Sequence, residues 1–385
     1  MALLRSALQG TARGYGSAPV IAAVGSHSAL DIADGAVVEG FRTLILAARG
    51  RERTYSEFFR ATRDAEGRAT RGCVDDVWTL DSFGALAERS VIDRVTSARA
   101  LLVPNRALSS YLPLDVIEDA LAIPIVGSRA LLRIEERTER ENYYALLGRA
   151  GVRTPEAFAS PEAIDGLAIV KVPHATRRLE RGFFTAASTA EYREKAKVLV
   201  ASGTVRADDL PAARIERYVI GPVFNFNFFR SPLETRSNAL ELLGVDERRE
   251  SSLDGLVRLP AAEQLALGDA GRTPRYTVVG HGSLTVRESI LEEVFRMGER
   301  FCEAARASHP PGVIGPFCLQ TCIDPEGIPW VFDVAVRIGG GTNIHLGTGH
   351  PYGNALWREP MSSGRRIARE VRTALATNQL AEIIT

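Results

Sequence analysis

The sequence predicts an α/β N-terminal doubly wound domain, followed by an α+β domain. Two observations support this prediction. Over residues 20–130, short apolar strands alternate with helical segments, which implies a parallel sheet covered by helices on both faces. After residue 165, strand patterns outnumber helical ones, as expected of an α+β unit. We therefore expect domains over residues 20–130 and 131–385, preceded by a flexible or loosely helical extension over residues 1–19.

The elements of the first domain follow from its apolar runs. Residues 20–30 predict a buried strand, a glycine turn and the start of a helix. Further strands are predicted at residues 41–48, 75–80, 100–104 and 123–126, with helices at 82–89 and 114–120.

The second domain is predicted to begin with an amphipathic helix over residues 137–150, which stops at Gly151. Strands follow at residues 169–171, 214–219, 223–229, 241–245 and 276–279. Helices are predicted at residues 288–307 and 360–384, the second with Arg365, Arg366 and Arg369 on its polar side.

Composition narrows the class of function. Lys+Arg and Asp+Glu both number 47, so the formal net charge of zero argues against bulk electrostatic binding to nucleic acid or anionic membrane. The four cysteines are few and scattered, which fits a reducing compartment. No apolar run approaches the ~20 residues that span a bilayer, and Arg5 interrupts any secretory core. We expect a cytoplasmic protein that acts on small molecules.

A hairpin near the C-terminus carries the strongest functional signal. Residues 315–323 predict a strand, residues 324–327 (DPEG) a tight turn, and a second strand carries Asp333. Across such a hairpin, Gln320 and Asp333 can aim at one point. Magnesium or manganese prefers oxygen ligands, so Asp333 is the candidate metal ligand and Gln320 a weaker second one.

Arg337 lies beyond Asp333 on the same predicted strand face. Its guanidinium suits a phosphate or a carboxylate, although a surface ion pair with Asp333 is the alternative interpretation. The run over residues 339–343 (GGGTN), ending at Asn343, offers backbone N–H groups for an anion.

Two further segments resemble those of the ATP-grasp ligases. Lys171 ends a strand, where a lysine can pair with ATP phosphates; a solvated strand end is the alternative. Glu216 begins a strand that runs through Val219 to Gly221. In ATP-grasp enzymes such a segment meets the adenine through its backbone, with an acid near the ribose; a plain strand of alternating exposure is the alternative.

His27 and Ser28 follow the first strand. Open α/β sheets bind ligands at the carboxyl ends of their strands. The helix that begins near Ser28 also presents N–H groups to a phosphate. A structural histidine is the equally weighted alternative at this position.

Taken together, these segments resemble the formate-dependent FAICAR (5-formaminoimidazole-4-carboxamide ribonucleotide) synthetases, from about residue 20 to the C-terminus. The matching motifs are residues 25–30 (GSHSAL), 35–36 (GA), 39–41 (EGF), 127–129 (GSR), 169–171 (IVK), 241–248 (ELLGVDER), 254–258 (DGLVR), 287–289 (RES), 315–320 (GPFCLQ) and 365–370 (RRIARE).

The resemblance implies an α+β ATP-grasp domain after the α/β domain, and a homo-oligomer. It implies that formate takes the γ-phosphate of ATP and that the amine of AICAR (aminoimidazole carboxamide ribonucleotide) attacks the formyl phosphate. The residues expected to act are Arg337 and Lys171 in catalysis; His27, Ser28, Ser109, Arg258 and Asn343 on the substrate; Lys171, Arg181, Glu216 and Val219 on ATP; and Asp333 and Gln320 on Mg²⁺ or Mn²⁺.

Two segments depart from the family's usual pattern. Residues 174–184 (HATRRLERGFF) carry one glycine where the family has a glycine-rich phosphate loop, so Arg177, Arg178 or Arg181 would replace backbone N–H groups. Residues 103–111 lack the usual His-Gly-Ser after the proline. Two alternatives therefore stand beside AICAR formylation: a related amide ligase acting on another imidazole or pyrazole ribonucleotide in a specialised nucleoside pathway, and a nucleotide-binding regulator without turnover.

Overall fold

The structure, a computed structural model, describes residues 2–173, 183–234, 239–269 and 277–385. Its helices are α1 (Ala2–Arg13), α2 (Ala29–Val38), α3 (Arg89–Ser97), α4 (Arg106–Tyr111), α5 (Tyr143–Arg149), α6 (Thr189–Ala201), α7 (Leu253–Leu256), α8 (Ala261–Asp269), α9 (Glu288–Ser308), α10 (Pro351–Trp357) and α11 (Ser363–Ala376). Its strands are β1 (Val20–Val24), β2 (Arg42–Ala48), β3 (Thr62–Arg63), β4 (Ala69–Arg71), β5 (Asp76–Leu80), β6 (Ala100–Leu102), β7 (Ala157–Phe158), β8 (Ala168–Lys171), β9 (Phe183–Ala186), β10 (Arg214–Arg217), β11 (Val223–Arg230), β12 (Leu240–Glu250), β13 (Val278–Ser283), β14 (Gly315–Ile323) and β15 (Pro329–Ala335).

The first sheet is parallel, in the order β5-β2-β1-β6. Its central strand β1 reads VIAAV and is almost wholly buried, as expected of a strand covered on both faces. The strand order reverses at β1, so its carboxyl end is the topological switch point where open α/β sheets bind ligands. Gly25 to Ser28 lie at that point.

Several predicted elements of this region differ in the structure. Residues 123–126 form only isolated pairings with Leu102 and Ile384 instead of a strand. The helix expected at 114–120 is a π-helical turn, Val116–Ala120, and α5 starts later than predicted because Asn142 caps it through Tyr144 N and Ala145 N. Residues 2–13, expected to be flexible or loosely helical, form α1, whose Leu8 and Ala12 are buried.

Two antiparallel sheets follow. The smaller has the order β7-β10-β8-β9 and packs its apolar face on α6. The larger has the order β13-β12-β11-β14-β15. In β11, Phe226 and Phe228 join the core beneath α9, so the strand's period of two turns Asn225 and Asn227 to the opposite face. That opposite face carries the polar residues discussed below.

The C-terminal helix α11 returns to pack on α2 of the first sheet. The two helices cross through glycines: a Cβ at Gly35 would lie 2.1 Å from Arg365 N, and one at Gly364 would lie 2.0 Å from Asp31 O. Neither position has room for a side chain, so this crossing fixes the C-terminal segment on the first sheet.

The arginines of α11 do not face solvent as predicted. Arg365 and Arg369 donate to Glu39, whose side chain is fully buried. Arg366 pairs with Glu241 and Glu370 and is 4% exposed. The predicted helix is also too long, because Asn378 takes a left-handed φ of 56° shortly after α11 ends. No helix in the described ranges is long and apolar enough to cross a membrane.

We expect Gly35→Ala to lower the free energy of unfolding by at least about 1 to 3 kcal/mol, because the added methyl group overpacks the crossing of α2 and α11. Gly148→Ala is the matched control, since this exposed helical glycine has no atom within 4 Å of its Cβ position. The control should be neutral or stabilising by about 0.5 to 1 kcal/mol. Urea unfolding of both variants measures the difference; equal stabilities would contradict the packing argument.

Candidate active site

A cleft of about 390 Å³ opens beside the end of β8. Its lining includes three cationic side chains, those of Arg137, Lys171 and Arg214, together with the ring of Tyr144. Cationic side chains that line one cavity favour an anionic ligand, so this cleft is a candidate anion site.

Lys171 is buried at the centre of this arrangement. Its ammonium forms an ion pair with Glu216 and lies 2.9 Å from Tyr144 Oη and 3.2 Å from the carbonyl oxygen of Phe332. Burial lowers the pKa of Lys171, and the carboxylate of Glu216 opposes that shift. The structure therefore brings together two of the predicted ATP-binding residues, Lys171 and Glu216.

Glu216 holds the other walls of the cleft in place. Its carboxylate accepts from Tyr144 Oη at 2.8 Å and from Arg214 Nε at 2.9 Å, and the Arg214 guanidinium stacks 3.5 Å from the centre of the Tyr144 ring. Glu216 is only 1% exposed, because these partners enclose its side chain. In this structure Glu216 contacts the phosphate-binding candidate Lys171, whereas the sequence led us to expect it near the ribose.

A row of polar residues crosses the large sheet. Asp246, Asn225, Gln320 and Asp333 are successive partners on β12, β11, β14 and β15. The predicted pairing of Gln320 with Asp333 across the hairpin is thus present in the register. All four belong to the polar face of the sheet, opposite the aromatic core.

Arginines flank the metal-ligand candidates. Arg248 donates to the amide oxygen of Gln320, and Arg137 lies 3.7 Å from the carboxylate of Asp333. The carboxylate of Asp333 is partly exposed, at 23% of its side chain, and offers a hard oxygen to a divalent cation. The amide oxygen of Gln320 is already engaged by a cation. Within the described ranges, no group of three or more His, Cys, Asp or Glu side chains could hold a metal.

Arg337 lies just beyond β15 and is nearly buried. Glu135 holds it at 3.5 Å and also accepts from the N–H of Val336 and from Arg106 at 3.4 Å. The alternative interpretation, an ion pair with Asp333, is therefore not what the structure shows: Arg337 pairs with Glu135, a residue of the segment that links the first sheet to α5.

The loop after β1 meets the glycine run Gly339–Gly341. Ser28 Oγ donates to Gly339 O at 2.5 Å, and a Cβ on Gly340 would lie 3.5 Å from the His27 ring. On the other side, a Cβ on Gly341 would lie 2.2 Å from Asp246 Oδ1. None of these three glycines has a positive φ, so they do not form the predicted anion nest. Gly339 and Gly341 have no room for a side chain, since a Cβ on either would lie 2.2 Å from a side-chain oxygen, whereas a Cβ on Gly340 would make ordinary van der Waals contact.

His27 and Ser28 both have left-handed backbones, with φ of 25° and 40°. Asn105 stabilises this turn, since its Nδ2 donates to the carbonyls of Val24, Ser26 and His27. Desolvation of the imidazole and the nearby guanidinium groups of Arg337 and Arg106 lower the pKa of His27 to about 4. His27 is therefore neutral at physiological pH, with Ser26 Oγ 2.9 Å from its Nδ1.

The other predicted site residues that the structure describes make their hydrogen bonds elsewhere, away from Lys171, Asp333 and His27. Ser109 bonds within α4, Arg258 is exposed and donates to Asp254 O, and the carbonyl oxygen of Val219 lies 3.5 Å from Cys322 Sγ. Asn343 accepts from the N–H of Asp31 and so ties the glycine run to α2. Arg181, with Arg177 and Arg178, lies outside the described residues.

Sequence reasoning missed an acid–imidazole pair on the large sheet. His281 Nδ1 lies 2.8 Å from Asp246 Oδ1, and Asn225 and Asn227 donate to the two oxygens of Asp246. The signal was present in β11, where asparagines alternate with phenylalanines over residues 224–228 (FNFNF). Polar residues on one face of an otherwise apolar strand indicate a buried polar site.

The fold is that of the ATP-grasp proteins. N5-carboxyaminoimidazole synthetase from Staphylococcus aureus, solved in complex with ADP, superimposes with a TM-score of 0.54 over 85% of this chain and 72% of that chain, at 11% sequence identity. At that identity the likeness shows the fold alone.

Sequence comparison defines the family. A family model described as "Domain of unknown function (DUF1297)" matches residues 191–385, and "Protein of unknown function (DUF1246)" matches residues 21–158. A relative from Methanocaldococcus jannaschii, named "5-formaminoimidazole-4-carboxamide-1-(beta)-D-ribofuranosyl 5'-monophosphate synthetase", is 38% identical over 95% of this chain and 94% of its own.

A solved structure, that of an IMP biosynthesis protein PurP from Thermococcus kodakaraensis, is 29% identical, with a TM-score of 0.69 over 95% of this chain and 100% of that chain. The chain belongs to the family of 5-formaminoimidazole-4-carboxamide ribonucleotide synthetases.

The turn that carries Asn343 depends on a buried histidine. His345 Nε2 lies 3.3 Å from Ser283 Oγ, and its ring lies 4.9 Å from that of His350. Burial and the neighbouring His350 lower the pKa of His345 to about 4. In the unfolded chain the imidazole of His345 binds a proton below about pH 6.5, whereas in the folded chain it does so only below about pH 4. The free energy of unfolding therefore falls as the pH is lowered from about 6.5 to about 4.

We therefore expect the free energy of unfolding to fall between pH 7 and pH 5 by about 1 to 2 kcal/mol more in the unmodified protein than in His345→Gln. The comparison of the two proteins isolates His345 from the other titrating groups. Urea unfolding at both pH values measures it, and parallel losses would exclude a buried neutral His345.

Proposed function

We propose that this protein is an ATP-dependent ligase that joins formate to the amine of AICAR, giving FAICAR, ADP and phosphate. The observation that carries the proposal is the convergence of a cationic nucleotide-sized cleft, a carboxylate at the sheet edge and the switch-point loop of the first sheet. Membership in the family of formaminoimidazole carboxamide ribonucleotide synthetases supports the same substrates.

Lys171, Arg137 and Arg214 would bind the phosphates of ATP. They surround the same cleft, and the likeness of the fold to an ADP-bound synthetase supports a nucleotide there. Lys171 must then exchange part of its ion pair with Glu216 for phosphate oxygens. Phosphate oxygens would then replace part of the charge compensation that Glu216 gives this buried ammonium.

The residues fit one divalent cation carried on the nucleotide. Mg²⁺ keeps several waters and commonly takes one or two protein carboxylates together with substrate phosphates. Asp333 supplies such a carboxylate, and Gln320 would add at most an amide oxygen that Arg248 already holds. When bound, the cation would neutralise charge on the phosphoryl group that is transferred.

The chain's own residues would then do three things. Arg337, fixed by Glu135, would hold the carboxylate of formate or the resulting acyl phosphate through paired N–H donors. His27 and Ser28 would position the azole ribonucleotide at the switch point. The narrow cleft would keep water from the mixed anhydride.

Product analysis with purified protein, Mg-ATP, AICAR and carbon-13 formate tests the proposal. A labelled formamide on the nucleotide, formed with stoichiometric ADP, is the expected result. A labelled product only with another azole ribonucleotide would favour the related ligase. ATP binding without any ADP release would favour the regulator and overturn the proposal.

In the same assay we expect Asp333→Ala to lower ADP formation at least about a hundredfold, since it removes the carboxylate that would hold the cation near the transferring charge. Circular dichroism checks that the fold is intact. Unchanged turnover in a folded variant would remove Asp333 from the site.

Gln320→Glu gives a complementary prediction. It places a second carboxylate beside Asp333, so we expect Mn²⁺ in the presence of ADP to bind at least about tenfold more tightly. Electron paramagnetic resonance of free Mn²⁺ measures this affinity without any turnover. Unaltered affinity would contradict the prediction and would mean that the side chain at position 320 does not reach the cation, for example because Arg248 holds the new carboxylate.

A further inference from the structure

The acid–imidazole pair Asp246–His281 has the arrangement of a general base with its orienting acid. Asp246 lies on β12 and is 1% exposed. Its oxygens accept from Asn225 Nδ2 at 2.8 Å and Asn227 Nδ2 at 2.7 Å, and His281 Nδ1 lies 2.8 Å away. Three polar neighbours converge on one buried carboxylate.

The hydrogen-bond network assigns the histidine tautomer. An ionised carboxylate can only accept hydrogen bonds, so the nitrogen that faces Asp246 must donate. This assignment puts the ring proton on Nδ1 and leaves the lone pair on Nε2. Nε2 has no hydrogen-bond partner among the described residues, and the His281 side chain is 20% exposed.

His281 lies beside the glycine run. A Cβ on Gly341 would lie 2.4 Å from His281 Nδ1, so the ring packs against the same backbone segment that touches His27 and Ser28. The glycine run therefore places His281 next to the switch-point loop.

We propose that His281, oriented by Asp246, is the base that accepts a proton from the amine during acyl transfer. This inference rests on the proposed ligase function. The amine nitrogen forms a bond to the acyl carbon, the bond from that carbon to the phosphate oxygen breaks, and the phosphate leaves with the electron pair. One amine proton passes to His281 Nε2 and then to the departing phosphate or to water.

The chemistry requires such a base because an amino group on an aromatic azole is a weak nucleophile. It becomes acidic only as its bond to carbon forms, and a positioned base at that moment contributes about a hundredfold to ten-thousandfold. Asp246 is a positioning residue in this scheme, since it fixes the ring without touching the amine.

Hydroxylamine separates the two halves of the reaction. It traps an acyl phosphate as a hydroxamate without needing an enzymic base, whereas amide formation on AICAR does need one. The experiment measures hydroxamate and formamide production by the full-length protein, with Mg-ATP and formate, for the unmodified chain, His281→Gln, His281→Ala, Asp246→Asn and the control Val279→Ala. Val279 is an exposed residue on the same strand β13.

We expect His281→Gln to keep hydroxamate formation within about threefold and to lose formamide formation by about a hundredfold or more. Added imidazole should restore part of the formamide activity of His281→Ala, because the small base fits the vacated space. Asp246→Asn should show a weaker loss of the same kind, and Val279→Ala should match the unmodified chain.

An equal loss of both products in His281→Gln and His281→Ala, without rescue, would mean that the ring only supports Gly341, and would overturn the proposal. Undiminished formamide formation in these variants would also overturn it. If the unmodified chain forms neither product, the ligase function itself fails. If it forms the hydroxamate and the formamide, only the role of His281 is at issue.

Discussion

The site depends on a run of three glycines, two of which have no room for side chains. Gly339, Gly340 and Gly341 pass between the switch-point loop of the first sheet and the polar face of the large sheet. A Cβ on Gly339 would lie 2.2 Å from Asn227 Oδ1, and a Cβ on Gly341 would lie 2.2 Å from Asp246 Oδ1. The switch-point loop and the polar face of the large sheet come this close because the backbone between them carries no Cβ.

Around that contact, each buried acid holds a cation or an imidazole in one orientation. Glu216 holds Lys171 and Arg214, Glu135 holds Arg337, and Asp246 holds His281. Buried ion pairs contribute little net stability, because desolvation offsets most of their attraction. Their value here is preorganisation: these side chains are already held in fixed orientations, so binding of a phosphate or carboxylate would need little reorientation.

Local patterns were sufficient to predict the hairpin, the strands of the parallel sheet and the position of Lys171 at a strand end, because each is set by periodicity within about ten residues. The facing of Gln320 and Asp333 followed from one tight turn. The burial of Arg365, Arg366 and Arg369 could not be predicted in this way. Their ion-pair partners, Glu39 and Glu241, lie far away in the sequence. The same limit hid Asp246 and His281: they are 35 positions apart and come together only through sheet register. Arg337 was expected on the same strand face as Asp333, but β15 ends at Ala335, so the strand period no longer applies to Arg337.

His27 and His281, on the two sides of the glycine run, show how the environment can give different roles to side chains of the same type. His27 has Ser26 as its polar partner and lies among the cations Arg106 and Arg337, so it stays neutral and suits hydrogen bonding to a substrate. His281 has a buried carboxylate at one nitrogen and an open second nitrogen. A proton gained by His281 would be stabilised by Asp246, whereas a proton gained by His27 would face two guanidinium groups. Environments that separate the proton affinities of neighbouring groups favour different acid–base roles for them, which is the physical basis for proposing His281 as the base and His27 as a substrate contact.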